Sequence, residues 1–406
     1  MLQCIIPLKP IPIGEHYSDQ KLTEAQRYPI DIYQCIDCHC VQTNDDISPD
    51  YLWKDYTYFS GRTPRIIKHF AEFVEQIQRD FSFCSNPDTA LKVLDIGSND
   101  GALLEEFNIA GFEVLGIDPS STVAAVAHQK GIPTIVSLFN EDAARKHIPN
   151  VKFDIITAFN VFAHSSDMPS MIRAVKSALS PEGLFFFEVQ YLGDIAEKKI
   201  LGTIFHEHMI HYSITSARSF LSRFGLKLID FYRNNIQNGS IIFVAANEGS
   251  SIAANRFNLS KIDDACASEV QQGLLTDQWT DGIKEYIHDT RVNVKNHFGN
   301  KTLSAYGAAR SGPTLAIQFG FDGTIDMLYD DHPSKIGKFS PFNTLEVVPT
   351  KLLNPNKSPN CIILAYIHYK AIIANHVEYL MQGGRFILLW PHFSIIDKNN
   401  YSKFLA

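Results

Sequence analysis

Four short apolar runs, LKVLDIG, FEVLGID, FDIITAF and GLFFFEV, lie between residues 91 and 189 and alternate with helix-period segments. Each is almost continuously apolar and bounded by Gly, Asp or Pro, the pattern of strands covered on both faces. Strands that alternate with helices form a parallel, doubly wound sheet, because each crossover helix covers a face. The amphipathic run RIIKHFAEFVEQIQRDF precedes the first strand as a helix. LKLIDFYRNNIQNGSIIFVAAN reads as two strands joined by a turn at Asn238-Gly239, an antiparallel pair that closes the unit. After a polar helical stretch at 250–299, alternation resumes in KTLSAYGA, TIDMLYD, NCIILAY and GRFILLW. The expected division is a small Pro-, Tyr- and Cys-rich module over 1–62, an α/β unit over 63–247 and a second α/β unit over 248–406.

Composition narrows the partners. Charged residues are 20% of the 406, the formal net charge is −8, and no run of Lys or Arg occurs. A nucleic-acid or anionic-membrane surface is therefore not expected. No apolar stretch approaches the roughly 18 residues of a membrane helix. MLQCIIPLKPIPIGEH lacks the basic start and apolar core of a signal peptide. The seven cysteines, an odd count in a long chain, make no disulfide framework. A reducing, cytoplasmic setting is the expectation.

Two glycine turns carry the chemistry. VLDIGSNDG, residues 93–101, runs from strand into helix with Asp95, Gly97 and Gly101 along it. Gly97 permits a sharp turn and a close approach of backbone to ligand. About 20 residues on, the second strand ends at Asp118, where a carboxylate takes two ribose hydroxyls. A dinucleotide turn would read G-x-G-x-x-G, whereas here an acid, Asp95, opens the turn. That suits a ligand with a ribose and a cationic amino acid end, the chemistry of S-adenosylmethionine. The second turn, AYGAARSGPTL at 305–315, lacks the leading acid and sets Arg310 beside Ser311, with Tyr306 at the strand end. A glycine backbone, a helix start and a guanidinium suit phosphate.

Two side-chain clusters remain. CIDCHC contains Cys35-x-x-Cys38, half of a four-thiolate zinc site. Cys4, His39 or Cys40 would have to complete it, and zinc is expected to be substoichiometric or absent. FHEHMIHYS, residues 205–213, is not a metal helix. His206-Glu207 is followed by Ile210 where the second ligand of His-Glu-x-x-His belongs, and His211 comes one place late. The alternative is proton transfer, with His208 as base and neighbouring Glu207 fixing its tautomer. His164, from the loop after FDIITAF, is placed to join it, and His206 and His211 are expected to be structural.

The order of CxxC module, DYTYFSG, VLDIGSNDG, FNVFAHSSD, FEVQYLGD, HEH, YGAARSGPTL and DDHPSKIGKFSP resembles the nucleotide-sugar C-methyltransferases along nearly the whole chain. Those enzymes methylate a ring carbon of 4-keto-deoxysugars with S-adenosylmethionine. The resemblance implies a class I methyltransferase Rossmann-like sheet, a zinc-ribbon-like N-terminal module and a C-terminal Rossmann-like domain. It implies catalytic roles for His208, Glu207, His164 and a tyrosine that falls on Tyr56 or Tyr58. It assigns Asp95, Gly97, Gly101, Asp118 and Asn160 to the cofactor, and Tyr306, Arg310 and Ser311 to a nucleotide-diphosphate sugar. Two departures stand out: Phe205 replaces a tyrosine found in many members, and the first CxxC of the family is missing, which weakens the case for zinc.

The implied reaction removes a proton from the carbon next to the ketone, with C3 expected, and the enolate attacks the methyl group in line. An O- or N-methyltransferase of small molecules would need neither an oxyanion donor nor a phosphate-binding second unit. A non-catalytic binding protein with the cofactor fold would have no use for Glu207-His208.

Overall fold

A computed structural model describes residues 1–44, 47–48, 52, 59–81, 90–255, 258–299 and 301–405. Strands β1 (Leu2–Ile6), β2 (Ile32–Cys35) and β3 (Val41–Thr43) form an antiparallel N-terminal sheet. Next come β4 (Lys92–Ile96), β5 (Glu113–Asp118), β6 (Thr134–Val136), β7 (Phe153–Phe159) and β8 (Leu179–Gln190). The short β9 (Ile210–His211) leaves this run and pairs with β3, while β10 (Leu226–Asn234) and β11 (Ser240–Asn247) return to it. The seven-stranded order is β6-β5-β4-β7-β8-β11-β10, parallel up to β8 and antiparallel at β11. This is the expected class I methyltransferase sheet, with its last strand inserted in reverse.

Alternation of side chains explains why both faces are covered. Along β8, Phe185 and Phe187 join one core with Leu94 and Ile156, while Leu184 and Phe186 join another with Val93 and Ile155. The period of two puts successive residues on opposite faces, and helices bury each.

The second α/β unit contains β12 (Leu303–Tyr306), β13 (Ile325–Tyr329), β14 (Val347–Val348), β15 (Asn360–Ile363), β16 (Arg385–Leu388) and β17 (Ser394–Ile396). Their order is β14-β13-β12-β15-β16-β17, parallel except for β17. In both large sheets the strand order reverses beside a glycine turn, between β4 and β7 and between β12 and β15. Ligands of doubly wound sheets bind at such switch points.

Packing redraws the expected boundary. Helices Ser251–Asn255 and Leu259–Gln271 contribute Ala253, Ile262 and Ala265 to the two cores of the first sheet. Helix Thr280–Phe298 instead joins the core of the second unit through Ile283 and Ile287. The helical packing thus passes from the first pair of cores to the second unit's core after Gln271. The polar composition of 250–299 gave no sign of which sheet each helix would cover.

The N-terminal module shares a core with the rest of the chain. Ile5, Ile32 and Val41 pack in one cluster with Leu201, Ile204, Leu303 and Ile362. Cys35 and Cys38 sit at the β2–β3 hairpin, where the Cys35 thiol donates to Asp37 Oδ2 at 3.9 Å. Among the described residues no group of three or more His, Cys, Asp or Glu could hold a metal. Burial pushes the Cys40 thiol up to about 12. Of a zinc ribbon's ligand set, the described residues present the Cys35–Cys38 half. Among them, no helix is long and apolar enough to cross a membrane.

Candidate active site

The carboxyl ends of the two large sheets open into one cavity of about 720 Å³, within the size range of small-molecule sites. Gly97, Asn99, Asp118 and Asn160 line it from the first sheet, and Arg310, Ser311 and Lys335 from the second.

The first-sheet wall fits a ribose-bearing ligand. Gly97 has φ 69°, and a Cβ there would lie 2.3 Å from Val161 Cγ2, so only glycine keeps this turn. Asp118 is 6% exposed. Its Oδ2 accepts from the Asn99 amide at 3.0 Å and its Oδ1 from the Ser120 amide at 2.8 Å. Burial raises its pKa, and these two N–H donors pull it back down. The amides fix the carboxylate and leave lone pairs on both oxygens for ribose hydroxyls. Replacing Asp118 by Ala is expected to weaken S-adenosylmethionine binding by about 10- to 100-fold, the scale of one charged hydrogen bond. Unchanged affinity by calorimetry would remove the ribose role from this residue. Asn160, at the end of β7, has φ 55° and donates its amide to Glu188 O at 2.8 Å.

Asp95 does not line this cavity. It pairs in register with Thr157 of β7 and accepts from its hydroxyl at 2.6 Å. Burial pushes its carboxyl up to about 7. The expected charge facing an amino acid end is therefore replaced by a buried tie between strands. Gly101, with φ 76°, also stands back from the cavity and caps helix Ala102–Ile109.

The proton-transfer segment is built by its backbone. The amides of Met209 and Ile210 both donate to Ala163 O, at 3.0 and 3.1 Å. That fastens the HEH stretch to the loop carrying His164. The His164 and His208 rings consequently stack, with centroids 5.0 Å apart and planes 19° off parallel. Phe205 packs on His208 at 4.0 Å. His208 Nδ1 lies 2.8 Å from Thr203 O. A carbonyl can only accept, so Nδ1 carries the proton and Nε2 is left as the basic nitrogen. Burial, then His164, holds the His208 pKa well below the usual histidine range. Burial and the Arg310 charge take His164 down to about 3. Both rings are neutral at physiological pH.

Glu207 is not the group that orients His208. Its side chain is buried away from the cavity, and Oε2 has no hydrogen-bond partner. Burial raises its pKa, and Arg310 opposes that rise. Thr203 holds the imidazole instead. Tyr306 turns from the cavity, with its hydroxyl 3.1 Å from His376 Nε2. His206 bonds Pro29 O at 3.1 Å. His211 is buried in β9 with its pKa lowered to about 4. Tyr56 and Tyr58 lie outside the described residues.

Three groups at this end were not anticipated: Thr203, Lys335 and Glu15. Lys335 lies within the quoted DDHPSKIGKFSP stretch, so a signal was present. Glu15 lies in IPIGEHY, which carries no motif.

A methyltransferase domain family matches residues 67–230, and a C-methyltransferase C-terminal domain family matches residues 235–391. C-methyltransferase NovU of Streptomyces niveus is 28% identical over 380 residues, 91% of this chain and 88% of that protein. The ubiquinone biosynthesis O-methyltransferase of Rhodopseudomonas palustris (strain BisB5) is 32% identical over 97 residues, 24% of this chain and 38% of its own length. Magnesium protoporphyrin IX methyltransferase (ChlM) from Synechocystis PCC 6803, solved with bound SAH, aligns with 47% of this chain and 89% of its own at 19% identity and TM-score 0.36. A methyltransferase domain match followed by a C-methyltransferase C-terminal domain match, on this doubly wound sheet, makes this chain a class I methyltransferase that uses S-adenosylmethionine.

Proposed function

We propose that this enzyme methylates the ring carbon next to the ketone, expected to be C3, of a nucleotide-linked 4-keto-deoxysugar. The observation that carries the reading is His208: a neutral imidazole with its free nitrogen fixed by Thr203, in the same cavity as the Asp118 wall. A carbon nucleophile requires such a base, whereas many heteroatom nucleophiles do not. S-Adenosylmethionine, held by Asp118, Asn160 and the Gly97 turn, supplies an electrophilic methyl group.

His208 Nε2 takes the carbon proton while its Nδ1–H stays on Thr203 O. Charge then grows on the ketone oxygen. His164, stacked on His208 and neutral, can offer an N–H there, and Arg310 adds a positive field. Arg310, Lys335 and Ser311 suit the diphosphate of the sugar donor. NovU, whose name states C-methylation, spans the same domains.

The test uses a set of nucleotide-linked 4-keto-deoxysugars. Mass spectrometry and NMR should locate the new methyl on carbon. In deuterated buffer, with S-adenosylhomocysteine replacing the donor, the proton next to the ketone should wash out. A methyl on oxygen or nitrogen without washout would sink the reading.

A further inference from the structure

The cavity contains a carboxylate that the proposed reaction does not use. Glu15 Oε1 lies 3.0 Å from Lys335 Nζ and 3.3 Å from Arg310 Nε. These are the two cations that line the cavity from the second unit, and Glu15 lines it with them. We infer that Glu15 is an internal stand-in for the substrate's anion: it occupies the Arg310–Lys335 seat in the empty enzyme and is displaced when a diphosphate arrives. This rests on the reading of Arg310 and Lys335 as the diphosphate seat.

The position of Glu15 is set by backbone. A Cβ on Gly14 would lie 2.6 Å from Arg310 O and 2.9 Å from Arg310 Cα. The turn at Gly14–Glu15 therefore lies directly on the second glycine turn, at a distance only glycine allows. Three residues further on, Tyr17 places its ring 4.8 Å from Lys335 Nζ. Ser18 and Phe339 then exchange two backbone hydrogen bonds, at 2.9 and 2.7 Å. A strap anchored at both ends delivers one side chain to two cations, so rotation of that side chain alone can clear the seat.

The electrostatics give the stand-in a purpose. Two cations side by side in a half-enclosed cavity attract small anions and repel each other. One carboxylate between them removes most of that repulsion and competes with weak anions. A diphosphate carries more charge and more acceptor oxygens than a carboxylate, so it can win both cations. Selectivity then comes from competition as well as from fit. Lys335 also donates to Ala308 O at 2.7 Å, so it stays in place when Glu15 leaves.

The probe is inorganic pyrophosphate, titrated by calorimetry at fixed ionic strength with S-adenosylhomocysteine present. Glu15→Gln is expected to bind it about 10-fold more tightly than wild type, because a seat occupied most of the time lowers apparent affinity by the free fraction. Arg310→Gln is expected to lose it. Glu15→Asp, whose shorter carboxylate cannot span both cations, should fall between wild type and Glu15→Gln, and it serves if the glutamine variant does not fold. Unchanged or weaker pyrophosphate binding in the folded Glu15 variants, with loss in Arg310→Gln, overturns the stand-in and leaves the seat. Binding that ignores Arg310→Gln, or is undetectable in every form, overturns the seat and the stand-in together.

Discussion

Replacement of His208 by Ala is expected to lower turnover by about 100-fold or more, the scale of a lost general base. Cofactor affinity should hardly move, because the ribose-holding Asp118 belongs to the opposite wall. Solvent exchange of the substrate's carbon proton should fall with turnover. The pH profile supplies a second readout. Burial and the His164 ring lower the His208 pKa, so the neutral, basic form persists below the ordinary histidine range. In wild type, kcat/KM should therefore stay level through the pH region where a solvent-exposed histidine would gain its proton, and decline only at more acidic pH. Full activity in His208→Ala with a dead His164→Ala would exchange the two roles. Full activity in both would place the chemistry elsewhere.

Loss of Glu269 should be the most damaging change away from the cavity. This fully buried carboxylate accepts from the Tyr191 hydroxyl at 2.8 Å and the Ile214 and Thr215 amides at 2.6 and 2.9 Å. It also accepts from the Thr215 hydroxyl at 2.6 Å. It thus caps helix Ile214–Ser222 from a different helix, and supports the residues that follow the HEH stretch. Glu269→Ala strands two amides and two hydroxyls in a dry interior. The expected loss is roughly 3–5 kcal/mol, since each orphaned group costs about 1–3 kcal/mol and neighbours do not add fully. Chemical denaturation monitored by circular dichroism measures it. A loss below about 1 kcal/mol would mean that water or a rearranged side chain satisfies all four donors.

Much of the catalytic unit was legible because its signals are local. The buried strands β4, β5, β7 and β8 announced themselves as apolar runs, and Gly97 and Asp118 follow from the geometry of a single strand–turn–helix unit. The short strands β6, β14 and β17 did not, since TIV, VV and SII are too brief for any period to show. The Asp95–Thr157 tie was not legible because sequence gives no lateral neighbour: only the β4–β7 register brings Thr157 against Asp95. The inward setting of Glu207 was hidden for a related reason. Adjacent residues in an irregular turn need not face each other, and the turn at Phe205–His208 sends the acid inward and the imidazole to the cavity. The Glu15–Lys335 contact joins residues 320 apart in sequence, and no local pattern could have forecast it.

The pairing of β9 with β3 has a further consequence. Val41 pairs with His211 and the Thr43 amide donates to Met209 O at 2.9 Å, so the base-bearing segment is one edge of the N-terminal sheet. The methyl-donor wall has no such dependence, since Gly97, Asp118 and Asn160 stand on the other sheet. In the proposed reaction, holding the donor and activating the acceptor thus fall to different parts of the chain. On that proposal, a lesion in β3 leaves a protein that still captures its donor yet has lost the means to prepare a carbon for it.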